Sequence, residues 1–124
     1  MKLKKTQKIN HFCGMLEICR KKKLANNVAR MAKLAEEEYD FHPITYNLPD
    51  DLAEFMDVLK SKKKKTFILK PDAGCQGKGI RLAQSTKDVT KALEELGTTT
   101  NVVAQKYIAK PFLIDDLKFD LRIY

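Results

Sequence analysis

The sequence predicts an α+β fold: antiparallel strands, a glycine-rich flap between two of them, and flanking helices. Three observations carry this. Thr66-Phe-Ile-Leu-Lys70 and Ile80-Arg-Leu-Ala83 are short apolar runs with β-branched residues, and the loop between them holds Gly74, Gly77 and Gly79, as two strands joined by a glycine loop would. Thr86 to Leu96 sets Val89, Leu93 and Leu96 on one side, with Gly97 just past the end, the pattern of an amphipathic helix and its stop. Val102-Val-Ala-Gln105-Lys-Tyr-Ile108 reads as a buried strand.

The remaining elements follow in order. Residues 16–38 contain Leu16, Ile18, Leu24, Val28, Met31, Leu34 and Ala35 with few breakers. From Leu24 the spacing is helical, and Glu36 to Glu38 end it. His42-Pro43 breaks any helix, and Ile44-Thr-Tyr46 suggests a short strand. Asp50 and Asp51, after Pro49, suit the start of a helix through Leu59, because carboxylates favour helix N-termini. Lys118-Phe-Asp-Leu-Arg-Ile-Tyr124 alternates polar with apolar, as a half-buried strand does. With no turn or polar tail after that strand, the sequence is expected to be a fragment.

The composition bounds the function. A chain of 124 residues buries one modest core, so at most one complete domain is expected. Its 44% hydrophobic and 32% charged residues are ordinary for a globular protein. No apolar stretch is long enough to span a bilayer, and the basic Met-Lys-Leu-Lys-Lys start lacks the apolar core of a signal peptide. Cys13, Cys19 and Cys75 match no zinc spacing, which predicts reduced thiols in an intracellular protein. His11 and His42 are isolated, and core or surface roles suit them better than metal ligation.

The net charge of +8 is patterned. Residues 1–24 carry eight basic side chains against Glu17 alone, giving +7, and residues 25–59 carry −6. Residues 60–81 give +7 again and run into the glycine loop, while residues 82–124 balance. Such blocks stabilise a polyanionic ligand and steer an acidic partner. The run Lys62 to Lys65, taken alone, reads as a solvated loop. Nucleic-acid binding is not favoured, since the basic runs lack the interleaved aromatics of a stacking surface.

Three glycines so close are entropically costly, and a backbone that must approach phosphate oxygens is the usual reason. Lys70, at the end of the first strand, supplies a matching charge. Gly74-x-x-Gly77-x-Gly79 is neither G-x-G-x-x-G nor G-x-x-x-x-G-K-[ST], since Ile80 stands where a hydroxyl is needed. The pattern therefore points to a nucleotide-covering flap, with an ordinary glycine hairpin as the alternative. Lys118, Asp120 and Arg122 share one strand face, opposite Phe119, Leu121 and Ile123. The charged face suits a ligand site, or else a solvent-exposed edge.

Taken together, Gln7-Lys-Ile-Asn-His11-Phe, Glu17-Ile-Cys-Arg20-Lys, Phe67-Ile-Leu-Lys-Pro-Asp-Ala-Gly-Cys-Gln-Gly-Lys-Gly-Ile80, Gln105-Lys-Tyr-Ile-Ala-Lys-Pro-Phe and Lys118-Phe-Asp-Leu-Arg-Ile-Tyr124 resemble the tubulin–tyrosine-ligase-like family. Its polyglutamylase branch is the nearest match, and the motifs cover nearly the whole chain in the same order. Cys13 stands where proline is expected, and Ala73 where serine or asparagine is common.

The resemblance implies an ATP-grasp fold, with residues 1–104 as the central lobe and its basic helical N-terminal part. Residues 105–124 would then be a hinge and the first, truncated strand of the next lobe. It implies ATP-dependent ligation of glutamate onto glutamate side chains of tubulin C-terminal tails through an acyl phosphate, with free glutamate as the second substrate. Lys70 would contact the α/β phosphates. Gln76 and Gly77 would close over ATP, Gln76 also facing the protein substrate. Gln105, Lys106, Tyr107 and Ile108 would form the hinge that reads the adenine edge. Lys118 and Asp120, with Phe119 between them in the ATP-binding strand, would reach ribose or phosphate. Arg122 would be catalytic, holding the terminal phosphate or the incoming carboxylate, and Lys8 would approach a phosphate.

No metal ligand is assigned within the chain. The Mg2+ ligands, an acidic residue and a Glu-x-Asn pair, are expected beyond Tyr124, so the isolated piece is expected to be inactive. Tubulin and microtubules are the implied partners, with neither nucleic acid nor membrane among them. The implied setting is cytoplasm and cytoskeleton, including a cilium or flagellar axoneme. A catalytically dead microtubule-binding relative and a tubulin glycylase are the alternatives.

Overall fold

A computed structural model describes residues 4–61, 65–74, 76–97 and 101–121. Four strands form one antiparallel sheet: β1 (Thr45–Leu48), β2 (Phe67–Pro71), β3 (Arg81–Ala83) and β4 (Val102–Lys106). Their order is β1-β4-β2-β3, so the last strand in sequence lies between the first two. The two-residue period puts Phe67 and Leu69 of β2 on one face and Ile68 and Lys70 on the other. Leu48, Phe67, Leu69, Ala83, Val102 and Ala104 form the sheet side of the core.

Two helices cover that face. From α4 (Leu52–Lys60) Phe55 is fully buried, edge-on to Phe67 with ring centroids 5.0 Å apart. From α5 (Thr86–Leu96) Val89 and Ala92 join the same cluster. The α5 start is fixed by a capping box: the Ser85 hydroxyl accepts from the Asp88 N–H, and the Asp88 carboxylate accepts from the Ser85 N–H. These bonds satisfy amides that have no partner inside the helix. Asp51 precedes α4 as expected, but its carboxylate accepts from the Asn47 N–H at 2.7 Å instead of capping the helix.

The opposite face carries Thr45, Asn47, Ile68, Lys70, Val103 and Gln105. It is covered in part by α2 (Lys21–Ala32), which packs on β1 and β4. Ala25 and Val28 are its buried residues, and Asn26 accepts from the Asn47 amide at 2.6 Å.

Three expectations are corrected. The apolar stretch over residues 16–38 is divided into α1 (Leu16–Cys19), α2 and α3 (Glu36–Tyr39), and the helix expected from Leu24 is α2, which starts at Lys21 and ends at Ala32. The stretch breaks at Arg20, which is extended, and again at Ala35. The three glutamates do not end a helix. They form the first turn of α3, where the helix dipole favours them. The strand expected over 102–108 stops at Lys106, leaving Tyr107 and Ile108 exposed. The strand expected over 118–124 is absent from its described part: residues 118–121 are exposed and unpaired with the sheet. Alternation selects faces only where a neighbouring strand supplies a ladder. Here the local partner is a ring, with Phe119 edge-on to Phe112 at 6.2 Å.

No helix among the described residues is long and apolar enough to cross a membrane. Cys13 and Cys19 are free and exposed, and Cys75 lies outside the described residues.

Candidate functional site

The open face of the sheet centres on Lys70. Its ammonium is half-buried and donates to Gln105 Oε1 at 2.7 Å. Cross-strand register explains the meeting: Gln105 lies opposite Ile68, and Lys70 is the next residue of β2 on the same face. Burial, and then the positive charge of Lys21, hold the Lys70 amine below the ordinary lysine range. The Gln105 amide nitrogen in turn donates to Thr45 Oγ1 at 3.0 Å and lies 3.5 Å from His42 Nε2. Burial, and then the Lys70 charge, lower the affinity of His42 for a proton.

Lys70 stands between two clefts. One, of about 120 Å3, lies under the loop joining β2 to β3 and is lined by Lys21, Lys70, Pro71, Gly74, Gln76, Gly77, Lys78 and Ile80. The other, of about 240 Å3, is lined by Ile68, Lys70, Gln105, Lys106, Tyr107, Ile108, Pro111 and Lys118. Each holds three lysines beside apolar side chains. The first, narrow and under a loop with bare backbone at Gly77, suits anionic oxygens. The second is wider and has Tyr107 and Ile108 in its wall, which suits a flat group.

The loop has a distinct backbone. Gln76, Gly77 and Gly79 all have left-handed φ, of 56°, 71° and 73°. The glycines differ in purpose. A Cβ on Gly79 would lie 2.9 Å from both Pro71 Cγ and Leu96 Cδ2, so glycine there permits packing. A Cβ on Gly77 would meet nothing within 4 Å, so its bare backbone faces open space above the first cleft.

The base of the loop is tied to α2. Lys21 Nζ donates to the carbonyls of Pro71 at 2.9 Å and Asp72 at 3.2 Å. The Lys22 N–H donates to Asp72 Oδ1 at 2.8 Å, so Asp72 caps a helix whose first turn contains lysines and no acid. Lys22 Nζ pairs with Asp50 at 2.7 Å. Sequence reasoning missed Lys21, Lys22, Asp72, Thr45 and His42. A signal existed for the first three: lysines crowding a helix N-terminus oppose the helix dipole, so they require a partner. For Thr45 and His42 no local pattern exists, since both reach Gln105 only through strand pairing.

Of the residues assigned from the sequence, the structure gathers Lys70, Gln105, Lys106, Tyr107, Ile108 and Lys118 at one cleft, and Lys70, Gln76 and Gly77 at the other. Phe119 and Asp120 line neither cleft, and Lys8 lies in an exposed segment. Arg122 lies outside the described residues. No three His, Cys, Asp or Glu side chains come together as a metal site among the described residues.

Comparison with known proteins agrees with the sequence motifs. The chain is 51% identical over 124 residues to tubulin polyglutamylase ttll6 of Danio rerio, covering 100% of the chain and 15% of that relative. It is 48% identical over 124 residues to tubulin polyglutamylase TTLL6 of Homo sapiens, covering 100% of the chain and 13% of the relative. With tubulin polyglutamylase TTLL7 of Xenopus tropicalis it shares 44% identity over 126 residues, covering 98% of the chain and 13% of the relative. The chain therefore spans about one seventh of the length of these relatives. The model of the tubulin-tyrosine ligase family matches residues 1–124, and the chain belongs to that family.

Proposed function

We propose that the protein containing this chain is an ATP-dependent ligase that adds glutamate to glutamate side chains of tubulin C-terminal tails. This chain would supply one wall of the ATP site. The observation that carries the reading is the position of Lys70, bonded to Gln105 between a narrow, lysine-bearing cleft under the glycine loop and a wider one walled by Tyr107 and Ile108. That pairing of surfaces matches a molecule with a polyphosphate at one end and a planar base at the other. The three relatives named above as tubulin polyglutamylases support glutamate as the added group and tubulin as the acceptor.

Lys70 would bind the phosphates, and Lys21 and Lys78 would add charge around them. The loop through Gln76 and Gly77 is proposed as the flap over them, Gln76 also facing the acceptor peptide. At the other end, the N–H groups of Lys106 and Tyr107 already donate to the carbonyls of Ile44 at 2.8 Å and Thr66 at 2.9 Å. Reading the adenine edge by backbone donation then falls to Ile108, with Tyr107 and Ile108 flanking the ring. Lys118 would reach ribose or phosphate from across the wider cleft. Roles for Phe119 and Asp120 in ATP binding and for Arg122 in catalysis stay proposals from the family motif.

ATP, when bound, supplies the activation that a carboxylate needs before an amine can attack it. The residues of this chain bind and orient it, and the developing phosphate charge is met by fixed ammonium groups. Mg2+ ligands are proposed to lie on other parts of the protein. The lobe boundary at residues 104–105 is proposed from the family motif, and β4 runs on to Lys106 before the chain leaves the sheet. The two basic blocks, residues 1–24 and 60–81, are proposed to attract acidic tubulin tails, and association with the cytoskeleton, ciliary or flagellar axonemes included, is proposed with it.

The test is mass spectrometry of tubulin incubated with the full-length protein, ATP and labelled glutamate. Lys70→Ala should lower incorporation about 100-fold or more, the scale seen when a fixed charge-stabilising group is removed. Wild-type incorporation by a folded variant would contradict the assignment.

A further inference from the structure

Lys70 depends for its aim on a residue no motif singles out. Thr45 of β1 lies directly opposite Gln105 of β4, and Gln105 lies opposite Ile68 of β2. A chain of hydrogen bonds crosses these three strands. The Thr45 hydroxyl donates its single proton to the Pro43 carbonyl at 2.8 Å. Thr45 Oγ1 can then only accept toward Gln105, and the Gln105 amide nitrogen donates to it at 3.0 Å. That choice turns the other end of the amide, Oε1, toward Lys70 Nζ at 2.7 Å. The reversed amide would set its oxygen against the lone pairs of a Thr45 hydroxyl whose proton is already committed at one end, and NH2 against an ammonium at the other.

We infer that Thr45 is a positioning residue for Lys70: its hydroxyl fixes the orientation of the Gln105 amide, which fixes the ammonium. His42 reinforces the arrangement. In the neutral tautomer that carries its proton on Nδ1, its Nε2, 3.5 Å from the same amide nitrogen, offers a lone pair and no proton. An ammonium has three donors. With one spent on Gln105, the remaining two are left for a ligand in the adjoining clefts, at a fixed tilt. Without the Thr45 hydroxyl the nitrogen end of the amide keeps only the longer contact to His42, and a half-buried charge loses its fixed acceptor.

The importance of this for ATP rests on the nucleotide reading above, but the geometry can be tested without it. In the full-length protein, Lys70 is acylated with trace acetic anhydride at pH 8 and the product is quantified by peptide mass spectrometry, with exposed Lys87 as internal reference. Losing the Gln105 acceptor disfavours the charged amine, so Thr45→Val should raise the Lys70 rate several-fold relative to Lys87. Thr45→Ser, which keeps the hydroxyl, should restore the wild-type rate. Valine suits a strand position. If circular dichroism shows that variant unfolded, Thr45→Ala serves the same purpose. Equal Lys70 rates in wild type and the hydroxyl-less variant overturn the inference, as does a serine variant that behaves like valine.

A parallel titration with ATP separates the two ideas. Thr45→Val should weaken ATP binding about tenfold, the equivalent of about one charge-assisted hydrogen bond, again rescued by serine. If Lys70→Ala binds ATP as wild type does, the nucleotide reading fails and the labelling result alone decides the role of Thr45.

Discussion

The sheet with its two covering helices and the segment from Tyr107 to Leu121 are built from similar residues and fold differently. In the first, Phe55, Phe67 and Leu69 lose essentially all contact with water. In the second, Phe112, Leu117 and Leu121 keep 81%, 69% and 76% of their exposure. Apolar content is not the difference. Each strand of the sheet has a neighbour that takes up its N–H and C=O groups, and helices close over the side chains. Past the Tyr107 N–H, which donates to Thr66, the later segment has among the described residues one isolated bridge, Ile114 with Leu117, and one ring pair. A hydrophobic pattern yields structure only where hydrogen-bonding partners for the backbone exist.

That contrast can be broken by substitution. The largest effect belongs to Phe55→Ala, which opens a cavity at the centre of the core and should cost about 3–5 kcal/mol, read by denaturant unfolding. Next is Gly79→Ala. A left-handed φ of 73° and a Cβ only 2.9 Å from Pro71 and Leu96 should together cost about 2 kcal/mol. The same change at Gly77 meets open space and should cost only the backbone part. Ser85→Ala removes half of the α5 capping box and should cost about 1 kcal/mol. Smallest is Leu121→Ala, expected within about 0.5 kcal/mol of wild type because the side chain is already in water. A loss at Leu121 as large as that at Phe55 would show that the two regions share one core.

The sheet side of this contrast was largely legible from the sequence. Thr86–Leu96 carried its helix in the spacing of Val89 and Leu93 and its stop in Gly97, and the helix has those bounds. Phe67 and the residues after it carried β2 in their branching. The later segment was misread because alternation at Phe119 and Leu121 says which face each residue takes, but not whether any strand lies beside them. Within the site, Lys70 and Gly77 were visible because a lysine at a strand end and a cluster of glycines are local signals. The part played by Gly79 was not, since packing against Pro71 and Leu96 depends on folding. Nor was the link from Lys70 to Gln105 and Thr45, which joins residues far apart in sequence through register alone.

Lys70 also sets opposite pH trends for stability and binding. Folding lowers its affinity for a proton, so the unfolded chain holds that proton more tightly, and the Lys70 contribution to stability rises with pH between the lowered value and the ordinary lysine value. Phosphate binding needs the charged form and should fall across the same window.

Calorimetric titration of the full-length protein with ATP, repeated from neutral to alkaline pH, tests the central claim that Lys70 is the phosphate-binding group. The account predicts that affinity falls as pH rises toward the lowered Lys70 value, before ordinary lysines discharge. Lys70→Met should bind at least about tenfold more weakly at neutral pH, and an exposed-lysine control, Lys87→Met, should bind as wild type. Equal affinity of wild type and Lys70→Met at neutral pH, with both folded, would contradict it.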